Sequence, residues 1–93
     1  MSYFCSVSES VKRSRAEVIM AILSAAREGV YKTRLMYKVN MNLASFNRYL
    51  TELMEVGLIV RVDDSGGNAV YRITERGESL LDLLEKAEEF ISL

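Results

Sequence analysis

The 93-residue chain has no histidine, no proline and no tryptophan, and only one cysteine. Without histidine it lacks the commonest general base and the commonest metal ligand, so an enzyme is not expected. A lone Cys5 can form neither an internal disulfide nor a thiolate metal cage, and it reads as a free thiol in a reducing compartment. Without proline, nothing interrupts long helices from within. No apolar run approaches the roughly 18 residues of a membrane span, and the start, MSYFCSVSES, has neither a basic end nor an apolar signal core. The expectation is a soluble cytoplasmic protein without cofactor or metal. Asp63-Asp64 has no supporting ligands nearby and is not read as a metal site.

The chain is 49% hydrophobic and 27% charged, ordinary usage for one small folded domain. Its net charge of −1 hides a strong asymmetry. Between Lys12 and Arg48, eight basic residues oppose only Glu17 and Glu28, a net of +6; from Tyr49 onward, four basic residues oppose ten acidic ones, a net of −6. A basic half points to a polyanion partner.

Residues 1–13 are serine-rich without apolar period and read as a flexible tail ending in Lys12 and Arg13, followed by Arg15 in the folded domain, 14–93. Ser14 and Glu17 form an S-x-x-E capping box for a helix from Arg15 to Arg27, stopped by Gly29. Lys32 to Val39 reads as a short helix ended by Asn40 in the left-handed conformation. Asn42 caps a third helix, in which Leu43, Phe46, Leu50, Leu53 and Met54 share an apolar arc opposite Ala44, Ser45, Arg48 and Glu52; Gly57 ends it. Leu58–Val62 and Ala69–Ile73 are strand-like around Gly66-Gly67 and form a hairpin. Thr74 caps a last helix, 75–92, with Leu80, Leu83, Leu84, Ala87, Phe90 and Ile91 on a broad stripe and Leu81 on its flank.

That order of elements is an α+β winged helix-turn-helix: a three-helix core, a two- to three-stranded hairpin wing and a C-terminal dimerisation helix. The outward side of the third helix offers Asn42, Ala44, Ser45, Asn47 and Arg48 for base edges, Arg48 foremost. Lys32, Thr33, Arg34 and Lys38 suit backbone phosphates. The wing is ambiguous. Ser65, Gly66, Gly67 and Asn68 can donate hydrogen bonds, but Asp63 and Asp64 would repel phosphates. Tyr31, Tyr37, Tyr49 and Tyr71 read as packing residues, with Tyr37 alone able to reach DNA; Met20, Met36, Met41 and Met54 read as core fillers. Leu80, Leu84, Ala87 and Ile91 recur at helix–helix seam spacing, and the whole stripe (Leu80, Leu83, Leu84, Ala87, Phe90, Ile91) is the expected dimer interface.

The runs KTRLMYKVNMN (Lys32–Asn42), FNRYLTELMEVGLI (Phe46–Ile59) and YRITERG (Tyr71–Gly77) resemble the archaeal winged-helix family of small DNA-binding proteins, which includes the 10a-type chromatin-associated proteins and predicted transcriptional regulators. The resemblance spans Lys12 to Leu93. It implies DNA binding through the third helix and wing, with Ala44, Ser45, Asn47 and Arg48 in the groove and Lys32, Thr33 and Arg34 near the backbone, and a dimer through the last helix. The last helix is shorter than the long coiled coil of 10a-type members, and the acidic balance fits a site-selective, nucleoid-associated regulator better than an abundant DNA-coating protein. The alternatives are a general chromatin-associated DNA binder, or a winged-helix protein-interaction module without direct DNA contact.

Overall fold

The computed structural model describes residues 14–92, with side chains through Phe90. The expected tail, with Cys5, Lys12 and Arg13, lies outside the described residues, as does the side chain of Ile91. Four helices and three strands follow in the order α1 (Arg15–Ala25), β1 (Val30–Tyr31), α2 (Lys32–Val39), α3 (Leu43–Glu55), β2 (Ile59–Asp63), β3 (Ala69–Ile73) and α4 (Glu75–Ser92).

Each helix boundary has a local chemical cause. At α1, the Ser14 hydroxyl accepts from the Glu17 amide while the Ser14 amide donates to the Glu17 carboxylate, so the capping box is reciprocal. The helix ends at Ala25 rather than Arg27, because the Ala26 carbonyl accepts instead from Gly29 N and from Ile73 N of β3. Asn40, at φ 56 and ψ 54, ends α2 in the left-handed conformation, and Asn42 Oδ1 accepts from Ser45 N at 2.9 Å to start α3. The corner between them is therefore set by two asparagines. At the end of α3, Leu58 N bonds Leu53 O and Gly57 N bonds Met54 O, with Gly57 at φ +82; this is a complete Schellman motif, and the paired leucines are both buried.

The strands form one antiparallel sheet in the order β1-β3-β2. Ile59 pairs with Ile73 and Asp63 with Ala69 across the hairpin, while Val30 and Tyr31 pair with Tyr71 and Val70. β1 is the third strand, too short at two residues to show an alternating pattern. Ile22 and Leu23 of α1, Leu35 of α2, Phe46 of α3 and Leu81 of α4 are fully buried, and Leu50, Leu53, Ile59, Tyr71 and Ile73 complete the core around them. Met20, Met36 and Met41 pack against it as expected.

Several positions differ from the sequence reading. Leu43 and Met54 share the apolar arc of α3 but lie at the helix ends, beyond the core, and are 57% and 36% exposed. In α4 the buried residue is Leu81, expected on the flank, whereas Leu83 and Phe90 are 63% and 78% exposed and Ala87 is exposed too. The reason is that α4 meets the domain along the line Gly77, Leu81 and Glu85, each one turn apart, with Glu85 bordering a groove against α1. The apolar stripe turns away from that line, with Leu80 and Leu84 half-buried at its border.

Gly77 sets the approach of α4. A Cβ there would stand 2.3 Å from the Leu58 carbonyl oxygen and 2.7 Å from Ile73 Cγ1. Thr74 locks the same junction: its Oγ1 donates to Gly57 O at 2.7 Å and accepts from Gly77 N at 3.0 Å, and its amide donates to Leu58 O. Gly77→Ala should cost about 3 kcal/mol, the upper end for overpacking. Gly66→Ala, whose Cβ has no neighbour nearer than 3.4 Å, serves as the control. Urea denaturation compares them; equal midpoints would mean that the helix can shift without penalty.

Candidate nucleic-acid interface

The exposed side of α2 carries Thr33, Arg34, Tyr37 and Lys38, opposite buried Leu35 and Val39. Tyr37 is 84% exposed, so it is not a packing residue and stands in solvent among these cations. On α3, Ala44 and Arg48 lie one turn apart on the outward face, both exposed, while Ser45 and Asn47 are half-buried on either side. Asn42 is exposed, but its Oδ1 is committed to the cap. Among the described residues the ion pairs join Arg15 to Glu52, Arg61 to Asp63 and Lys86 to Asp82, and none involves Lys32, Arg34, Lys38 or Arg48. These cations of the helix-turn-helix are therefore not neutralised by the acidic half of the chain.

Lys32 departs from the expected outward row. It is half-buried at the start of α2, in a shallow groove shared with Tyr31, Thr33, Asn68 and Ala69. This groove brings the base of the wing against the α2 N-terminus, which has no side-chain cap and so leaves its first backbone amides unpaired by a capping side chain. Of the expected wing residues, Asn68 joins that groove, whereas Ser65, Gly66 and Gly67 form the exposed tip outside it.

Asp64 organises the wing. Its Oδ1 accepts from Gly66 N at 2.8 Å and Asn68 N at 2.9 Å, and its Oδ2 accepts from the Tyr31 hydroxyl at 2.6 Å. Backbone bonds from Asp64 N to Asn68 O and from Gly67 N to Asp64 O close the same turn. Residue counting places two free carboxylates here; in the fold, Asp64 is occupied by three donors and Asp63 stands 3.6 Å from Arg61. The Tyr31 hydrogen bond, followed by the backbone amide of Asn68, holds the Asp64 carboxyl below its ordinary value, and the same carboxylate raises the Tyr31 phenol. Tyr31 is thus a latch from β1 to the wing, 48% exposed, and not the packing residue expected. No local signal marks it, because its partner is 33 residues away.

At the other border of α3, Arg15 Nη2 reaches Glu52 Oε1 at 2.6 Å, and its guanidinium carbon lies 5.4 Å from the centre of the Tyr49 ring. Glu52 is one turn beyond Arg48, so this pair neutralises the carboxylate nearest Arg48 along the helix.

A family profile described as winged helix-turn-helix matches residues 12–92. The chain belongs to the winged helix-turn-helix family. Two uncharacterized proteins of the archaeon Methanocaldococcus jannaschii are similar: one is 32% identical over 83 residues, 88% of this chain and 37% of that protein, and the other is 33% identical over 82 residues, 87% and 79%. The chain thus spans little more than a third of the first relative and most of the second. Among solved structures, Sso10a-2, a DNA-binding protein from Sulfolobus solfataricus, superposes with a TM-score of 0.75 at 26% identity, covering 86% of this chain and 83% of that one. A MarR-family transcriptional regulator from Silicibacter pomeroyi shares the fold, with a TM-score of 0.64 at 23% identity over 85% of this chain and 53% of its own. In winged-helix terms, α2 and α3 are the helix-turn-helix and β2–β3 is the wing.

Because the Asp64 carboxylate has a depressed value in the folded wing, its contribution is complete at neutral pH and lost only as pH falls through that depressed value. The amide resonances of Gly66 and Asn68, followed by NMR, should therefore titrate with a midpoint below the ordinary aspartate value of about 3.9. Tyr31→Phe should move that midpoint upward. An unchanged midpoint in the variant would rule out the latch.

Proposed function

We propose that this winged-helix protein binds double-stranded DNA with sequence preference, as a homodimer, and regulates transcription. The observation that carries the reading is the set of exposed, unpaired cations Arg34, Lys38 and Arg48 on the helix-turn-helix of a domain whose net charge is close to zero. Folding alone gives no reason to keep these charges together. The likeness to Sso10a-2, a DNA-binding protein, supports the same reading.

In the proposed mechanism, the N-terminal turns of α3 enter the major groove. Ala44 allows close approach, and Arg48 supplies a guanidinium for the acceptor edge of guanine or a flanking phosphate. Ser45 and Asn47, half-buried, border that contact. Thr33, Arg34 and Lys38 meet backbone phosphates, and Lys32 and Asn68 receive a phosphate where wing and α2 converge. The tip residues Ser65, Gly66 and Gly67 follow the adjacent backbone with amide donors.

Leu83, Ala87 and Phe90 recur at four and three residues on the exposed side of α4, with Leu80 and Leu84 beside them, the spacing of a helix–helix seam. Pairing two such seams would bury the ridge and place two α3 helices on successive half-sites. Such a protein would reside in the cytoplasm, on the nucleoid; among the described residues no helix is long and apolar enough to cross a membrane.

Fluorescence anisotropy with duplex DNA, beside a mass measurement at micromolar concentration, tests both parts. For a dimer with several phosphate contacts per subunit, log K should fall with log salt at a slope of roughly −5 to −8. Arg48→Ala should cost about 1–3 kcal/mol on the preferred site and flatten the preference, whereas Lys38→Ala should weaken all sequences alike. Leu83→Glu should give a folded monomer, since Leu83 contributes little to the core. Absence of binding even at ~50 mM salt would favour a protein-interaction module instead.

A further inference from the structure

We propose that the free edge of β2 pairs with the same edge of a second copy of the chain, in an antiparallel register that sets Arg61 opposite Asp63. This contact is separate from the α4 seam and does not rest on the DNA-binding reading above.

β2 is an outer strand of the sheet, and every residue from Val60 to Asp63 is exposed. The bonds on its inner edge fix which backbone groups face outward. Thr74 N donates to Leu58 O at one end of the hairpin and Asp64 N to Asn68 O at the other, and Ile59 to Asp63 keep the same register between them. Antiparallel bonding alternates along a strand, so Val60 and Val62 turn their amides and carbonyls to β3, whereas Arg61 and Asp63 turn theirs to the open edge. Among the described residues no strand meets them there.

The side chains of that edge are self-complementary. Arg61 and Asp63 share one face of the strand and are opposite in charge; their mutual contact, 3.6 Å between exposed groups, is weak enough to be exchanged. Val60 and Val62 share the other face, 41% and 43% exposed, so folding of one copy leaves them uncovered. Charged residues ordinarily guard a strand edge against pairing. Here a twofold axis through Val62 places Arg61 of each copy opposite Asp63 of the other, and these are the residues whose backbone groups point outward. Val62 then meets its own counterpart in a non-hydrogen-bonded pair, about 4.5 Å between Cα atoms, with Val60 diagonal to it. An axis through Arg61 instead sets two guanidiniums face to face, and one through Asp63 sets two carboxylates. Charge therefore selects the register. The Asp64 carboxylate is held by the Tyr31 hydroxyl toward β1, the opposite edge of the sheet, and leaves the seam clear.

Hydrogen exchange of single amides, followed by NMR as the concentration of the full chain is raised, tests the pairing. The Arg61 and Asp63 amides should gain protection with concentration, while those of Val60 and Val62, bonded to β3, stay protected throughout and report an intact hairpin. Arg61→Glu should abolish the gain, because it sets like charges opposite one another, and the exchange Arg61→Asp/Asp63→Arg should restore it. Leu83→Glu, directed at the α4 seam, should leave the gain in place. Arg61 and Asp63 amides that exchange equally fast at every concentration would overturn the pairing and leave this edge to an extended segment of another protein. A gain that survives Arg61→Glu, or that the charge exchange does not restore in a chain with Val60 and Val62 still protected, would also overturn it. A gain lost in Leu83→Glu would overturn it by assigning the protection to α4. Failure of the α4 pairing itself is read separately, as a mass of the unaltered chain that Leu83→Glu does not change.

Discussion

The arrangement of this domain depends on a close approach of backbone to backbone where α3, β2 and α4 meet. The missing side chain of Gly77 lets the first turn of α4 rest on the Leu58 carbonyl, and Thr74 ties that turn to Gly57 and Leu58 through its side chain and amide. The Schellman end of α3 delivers those carbonyls to the junction. A second knot, the Ala26 carbonyl shared by Gly29 and Ile73, holds the end of α1 to the central strand. Between these two knots the sheet is held against the helices, and the helix-turn-helix is left with one side free.

Electrostatics divides the surface along the same lines. The acidic residues concentrate in the second half of the chain, but the carboxylates closest to the proposed DNA face are occupied. Glu52 is held by Arg15, and Asp64 by Tyr31 and two amides. The cations of α2 and α3 have no such partners among the described residues. A nearly neutral chain can in this way present a locally positive face, which suits selective binding better than indiscriminate coating of DNA.

Much of this was legible in the chain because helix ends are written in short-range chemistry. Ser14 with Glu17, Asn40, Asn42 and Gly57 each act on groups within a few residues, as their residue types predict, and Thr74 does so in capping Gly77 N, although its bonds to Gly57 O and Leu58 O reach across the chain. Contacts between distant segments have no such signature. Tyr31 lies on β1 and Asp64 in the wing turn, 33 residues apart, and β1 is too short for periodicity. The inward turn of Lys32 follows from the position of the wing. In α4 the pattern of leucines shows a wide apolar stripe but not which edge of it meets the core; that choice falls to Gly77, whose lack of a side chain admits the neighbouring backbone and so buries Leu81.

The consequence reaches the far end of α4. Its early turns are anchored by Thr74, Gly77 and Leu81, and Glu85 and Glu88 continue along a groove against Glu17, Met20, Ala21 and Ser24 of α1, whereas Phe90 projects into solvent. A few helical turns without tertiary support are marginal in water. The last turn of α4, where Phe90 is 78% exposed, is therefore its least supported part. Under the pairing proposed above, a second copy would cover that turn, and its helix content would rise with protein concentration.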